Sequence, residues 1–131
     1  MAKNKLLFVC VANAARSQMA EGFARVIGGD KIEVLSAGSK PAGFVSTKAN
    51  KVMQEIGIDL SRHYSKGFDD LPTKEFDYVI TMGCKDTCPF YPAKETIDWE
   101  IADPKDQDID FYRKIRDLIE VKVKLLLEGV R

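Results

Sequence analysis

Residues 5–29 read KLLFVCVANAARSQMAEGFARVIGG, and this stretch decides the fold. Residues 5–10, KLLFVC, are a short, nearly continuous apolar run of strand length, the pattern of a strand buried on both faces of a parallel sheet. After five small or polar residues, Met19, Phe23, Val26 and Ile27 fall at i, i+4, i+7 and i+8, forming one apolar stripe of a helix that Gly28 and Gly29 end.

The rest of the chain repeats the alternation. KIEVLSAG (31–38) reads as a second strand, followed by a loop with Pro41 and Gly43 and a helix from about Ser46 to Ile56, striped by Ala49, Val52, Met53 and Ile56 and stopped by Gly57. FDYVITMG (76–83) is a third strand. ETIDWEIADP (95–104) is a weaker fourth, closed by Asp103-Pro104 because a residue before proline is pushed out of the helical region. The last helix has Asp106, Asp108 and Asp110 near its positive end, Lys122 and Lys124 near its negative end, a stripe of Phe111, Ile115, Leu118, Ile119 and Leu126, and Gly129 after it. Alternation with short connections predicts an α/β fold, a parallel sheet covered on both faces, with ligands bound beyond the carboxyl ends of the strands. Cys10 and Met82 to Cys84 fall at that edge.

With 131 residues, 45% of them apolar, the chain suits one domain over 1–131. Twenty basic residues balance 20 acidic ones, so no basic excess is present to hold a nucleic acid. Three cysteines are too few and odd in number for a disulfide framework, which favours reduced thiols and a cytoplasmic location. Lys3 and Lys5 before LLFVCVA resemble a secretion signal, but cleavage there would remove the first strand. No apolar stretch approaches the roughly 20 residues of a membrane span, and the expected state is a soluble monomer.

The loop between first strand and first helix carries the chemistry. A helix start has four N–H groups without intrahelical partners and about half a positive charge, and a loop of small residues such as Val11, Ala12, Asn13, Ala14 and Ala15 can add its own amides to an anion cradle. Arg16 can give two parallel hydrogen bonds to a tetrahedral oxyanion. These positive elements favour thiolate over thiol at Cys10, a candidate nucleophile, and Ser17 can donate its hydroxyl to the sulfur.

Cys10-x5-Arg16-Ser17 resembles the signature of the low-molecular-weight tyrosine phosphatases, and NAARSQMAEGF looks more like their relatives, the small cytosolic arsenate reductases. SAG (36–38), GIDLSRHYS (57–65), DYVITMG (77–83), CPF (88–90) and DWEIADP (98–104) extend the resemblance over nearly the whole chain. It implies a four-stranded parallel sheet with flanking helices and no catalytic metal or bound cofactor. Cys84 and Cys88 are half of a possible zinc set, but His63 and Cys10 are the only other thiol or imidazole groups, too poor a complement for a closed structural site.

The resemblance implies that Cys10 attacks arsenate, with Asp103 protonating the departing hydroxide. A second thiolate, Cys84, then attacks the Cys10 sulfur, the sulfur–arsenic electron pair reduces arsenic to arsenite, and Cys88 moves the disulfide outward to an external dithiol such as thioredoxin. The pair 84 and 88 is more closely spaced than the thioredoxin-coupled pattern, so an external small thiol is the alternative first attacker. A low-molecular-weight phosphatase, needing only Cys10, Arg16 and Asp103, is another, and a non-catalytic oxyanion-binding module a third. Asn13, Glu21 and Ser36 match family positions that hold the loop, in some members around potassium. Lys66 stands where an acidic residue is expected; its ammonium is expected to pair with Glu21 in the cation's place, the alternative being a solvated surface lysine. His63, Trp99 and the remaining tyrosines are read as packing residues.

Overall fold

A computed structural model describes residues 3–83 and 93–130. Strands β1 (Asn4–Cys10), β2 (Ile32–Gly38), β3 (Phe76–Thr81) and β4 (Ala93–Asp98) form one parallel sheet in the order β2-β1-β3-β4. The apolar run at 6–9 has its explanation in this order. β1 is central, paired with β2 from Asn4↔Ile32 to Cys10↔Gly38 and with β3 from Leu6↔Tyr78 to Val9↔Thr81, so Leu6 to Cys10 are buried.

Successive side chains of a strand point to opposite faces, and β1 divides the core accordingly. Leu6, Phe8 and Cys10 join a large cluster with Met19 and Phe23 of helix α1 (Arg16–Gly28), Val52 and Met53 of α2 (Thr47–Gln54), and Ile115, Ile119 and Val123 of α3 (Ile109–Gly129). Leu7 and Val9 join a smaller cluster with Ala37, Leu71, Phe76 and Val79, against which Phe68 of a short 3-10 turn packs. Truncating a core aromatic such as Phe23 to alanine costs about 3–5 kcal/mol.

Helices α2 and α3 begin with side-chain caps: Ser46 Oγ accepts from Ala49 N at 3.2 Å and Asp108 Oδ1 from Phe111 N at 2.9 Å. Helix α1 has no such bond at its start.

The predicted stripes ran too far. Burial of α1 ends at Ala24, leaving Val26 63% and Ile27 41% exposed, and Ile56 and Leu118 are also exposed. Periodicity shows which way side chains point, not where the neighbouring layer stops. The fourth strand is earlier than expected and lies at the sheet edge, so Asp103 follows its end by several residues. Trp99, just past β4, is a core residue as read, its ring 5.9 Å from that of Phe8. Among the described residues no helix is long and apolar enough to cross a membrane.

Candidate active site

Residues 11–15 leave the carboxyl end of β1 and enter α1. A strap after β2 holds them by main-chain bonds: Ser39 N donates to Cys10 O, Lys40 N to Val11 O, Ala42 N to Ala12 O and Ser46 N to Ala14 O, at 2.8–3.3 Å. In a trans peptide the N–H following each carbonyl points the opposite way. The amides of Val11, Ala12, Asn13 and Ala15 therefore turn away from the strap, next to the uncapped start of α1.

Asn13 sits at φ +49, a left-handed conformation that asparagine tolerates better than most residues. Its side chain is fully buried and its hydrogen-bonding capacity is filled. Nδ2 donates to Ser17 Oγ at 2.7 Å and Ser36 Oγ at 3.0 Å; Oδ1 accepts from Gln18 Nε2 and Lys66 N, each at 2.9 Å. Ser17 Oγ lies 2.9 Å from Cys10 Sγ. Because Ser17 accepts from the Asn13 amide, its own proton is available to the sulfur.

Arg16 is nearly buried, and both Nη1 protons are directed to main-chain oxygens, Met82 O at 2.7 Å and Ile101 O at 3.1 Å. The Nε–Nη2 edge, the face suited to bidentate recognition, remains for an oxyanion. Asp103 Oδ2 lies 3.5 Å from Nη2 on a half-exposed side chain, and its Oδ1 accepts from Lys105 N. Cys10, Ala12, Ala14, Ala15, Arg16 and Asp103 line one cleft of about 440 Å³, whose outer wall includes Phe44 and Tyr112. Sulfur, guanidinium and carboxyl thus meet in one cleft. Cys84 and Cys88 lie outside the described residues.

Beneath the loop is a buried charged layer. Glu21 accepts from Ser36 Oγ through Oε1 and from Arg25 Nε through Oε2, while Lys66 Nζ donates to Ser36 Oγ at 3.2 Å and lies 3.6 Å from Glu21 Oε1. Burial on its own raises the Glu21 carboxyl, but Lys66, the Ser36 hydroxyl, His63 and Arg25 outweigh it and hold the group below its ordinary value. Burial pulls Lys66 down despite the pull of Glu21 in the other direction.

Two residues of this layer carry more than the sequence reading gave them. Gln18 Nε2 donates to Asn13 and to Tyr64 O, so its Oε1 is the acceptor facing His63 Nδ1 at 3.0 Å, and that ring nitrogen carries the proton. For Gln18 the sequence signal is the polar triplet Arg16-Ser17-Gln18 just ahead of the apolar stripe that begins at Met19. Among the described residues no cluster of His, Cys, Asp and Glu could hold a metal.

Residues 5–131 match the family model for low molecular weight phosphotyrosine protein phosphatase. An arsenate reductase of Staphylococcus epidermidis is 38% identical over 134 residues, covering 99% of this chain and 100% of the relative. A solved arsenate reductase in the phosphate binding state superposes with a TM-score of 0.87 at 33% identity, over 98% of this chain and 99% of the other. The Corynebacterium glutamicum thioredoxin-dependent arsenate reductase superposes at 0.81 and 34% identity, over 97% of this chain and 61% of the other.

Proposed function

This chain belongs to the low molecular weight phosphotyrosine protein phosphatase family and, within it, to the arsenate reductases, and from that premise we propose a mechanism in which Cys10 attacks arsenate and two further thiols complete the reduction. The observation that carries this reading is the convergence of Cys10, Arg16 and Asp103 on one cleft. The amides of residues 11–15 and the Arg16 fork hold the oxyanion, and a sulfur–arsenic bond forms as hydroxide leaves with a proton from Asp103. Ser17 steadies the sulfur as nucleophile and later as leaving group.

Water attack on this adduct would return arsenate. Attack by Cys84 on the Cys10 sulfur breaks the sulfur–arsenic bond instead; its electron pair stays on arsenic, giving arsenite and a Cys10–Cys84 disulfide. Cys88 then attacks Cys84, frees Cys10, and leaves a Cys84–Cys88 disulfide for an external dithiol. The thioredoxin dependence of the Corynebacterium relative favours thioredoxin as that dithiol. We place the reaction in the cytoplasm, carried out by a single 131-residue domain acting as a monomer.

Arsenate-dependent NADPH oxidation with a thioredoxin system tests the relay. Cys10→Ser, Cys84→Ser and Cys88→Ser each abolish turnover if it is internal. Loss confined to Cys10→Ser, with turnover driven by a small thiol, replaces it with a transferase route. Hydrolysis of an aryl phosphate, unaffected at 84 and 88 and without arsenate reduction, would make the chain a phosphatase.

A further inference from the structure

Gly83 follows β3 and Met82 directly, at φ +84, a conformation that L side chains rarely adopt. What surrounds it is as informative as its backbone. A Cβ on this residue would lie 2.5 Å from Arg16 Nη1 and 3.2 Å from Ile101 O. The same Nη1 bonds Met82 O, in the peptide unit just before Gly83, and Ile101 O. The guanidinium thus points end-on, through Nη1, at a backbone bared by the missing side chain.

We propose that Gly83 is a positioning residue for oxyanion binding: it leaves the space in which Arg16 docks on two main-chain carbonyls with its bidentate edge turned to the cradle. This deepens the oxyanion-clamp role given to Arg16 above and rests on it. A methyl group at 83 cannot share that space with Nη1. The guanidinium is the end of a flexible side chain, whereas Ile101 O is main chain, so it is Arg16 that moves. Its departure forfeits both carbonyl bonds and swings the Nε–Nη2 edge away from the anion, while the core beneath is untouched.

The test separates the guanidinium's space from backbone strain. Asparagine tolerates positive φ but carries a Cβ, so Gly83→Asn relieves the strain and keeps the collision, whereas Gly83→Ala has both. Calorimetric titration with inorganic phosphate is expected to show both variants binding about tenfold or more weakly than wild type, with melting temperatures within a few degrees of it. In an Arg16→Ala background, adding Gly83→Asn should change phosphate affinity less than twofold. Wild-type affinity in Gly83→Asn, full additivity with Arg16→Ala, or failure of both glycine variants to fold would each overturn the proposal. A wild-type protein that binds neither phosphate nor arsenate would overturn the clamp reading as well, before any variant is compared.

Discussion

Lys66 Nζ lies 3.6 Å from Glu21 Oε1 beneath the anion loop, with both side chains almost wholly out of solvent. Removing one member of a buried pair strands the other, at a cost of about 3–5 kcal/mol. Glu21→Gln is therefore expected to lower stability by that amount in urea unfolding, and Glu21→Gln combined with Lys66→Met to recover part of it. An ammonium in this place also predicts activity independent of potassium at constant ionic strength, measured against sodium.

The charge on His63 gives the fold an acid limb. Burial lowers its pKa below the ordinary 6.5, more than the Glu21 carboxylate raises it, so between that value and the lower folded one the unfolded chain binds more protons. Stability should fall as pH drops from 6.5 through this window. Glu21, depressed from 4.5, adds a second loss starting below that pH. Melting temperatures across pH 4–8 check the sign, and His63→Gln should flatten the limb nearer neutrality.

Ser17 touches both the reacting sulfur and the residue that shapes the loop. Deleting a hydrogen bond costs about 0.5–1.5 kcal/mol, roughly two- to tenfold in rate. Ser17→Ala should lose that much in kcat; Ser17→Thr, which keeps the hydroxyl, should retain most of it.

Gly38 closes β2 under the loop. A Cβ there would stand 2.5 Å from Val11 O and 2.8 Å from Asn13 N, both main-chain atoms. Gly38→Ala must push the cradle itself, so it should cost about 1–3 kcal/mol of stability and raise KM for arsenate severalfold, in contrast to the small stability change expected of Gly83→Asn.

Strand, loop and first helix were legible in the sequence because burial on all sides leaves an unmistakable apolar run at 6–9 and because Cys10 and Arg16 bracket the loop. Lys66 was legible as a substitution at a charged position. Gln18 and His63 were not, since their importance depends on which partner each amide or ring atom finds across 45 residues of chain. Val26, Ile27, Ile56 and Leu118 misled for the opposite reason: their spacing fits a helical stripe, yet each is left exposed, Val26 and Ile27 in the last turns of α1, Ile56 past the end of α2 and Leu118 beside the buried stripe of α3.

Helix α1 begins without the side-chain oxygen that closes α2 and α3. An oxyanion held as proposed above would supply that acceptor, so substrate would double as a part of the scaffold. Saturation at a hundred times Kd would deepen the folded well by about 2.7 kcal/mol, making a simple melting curve a detector of cargo even in a variant whose chemistry has been switched off.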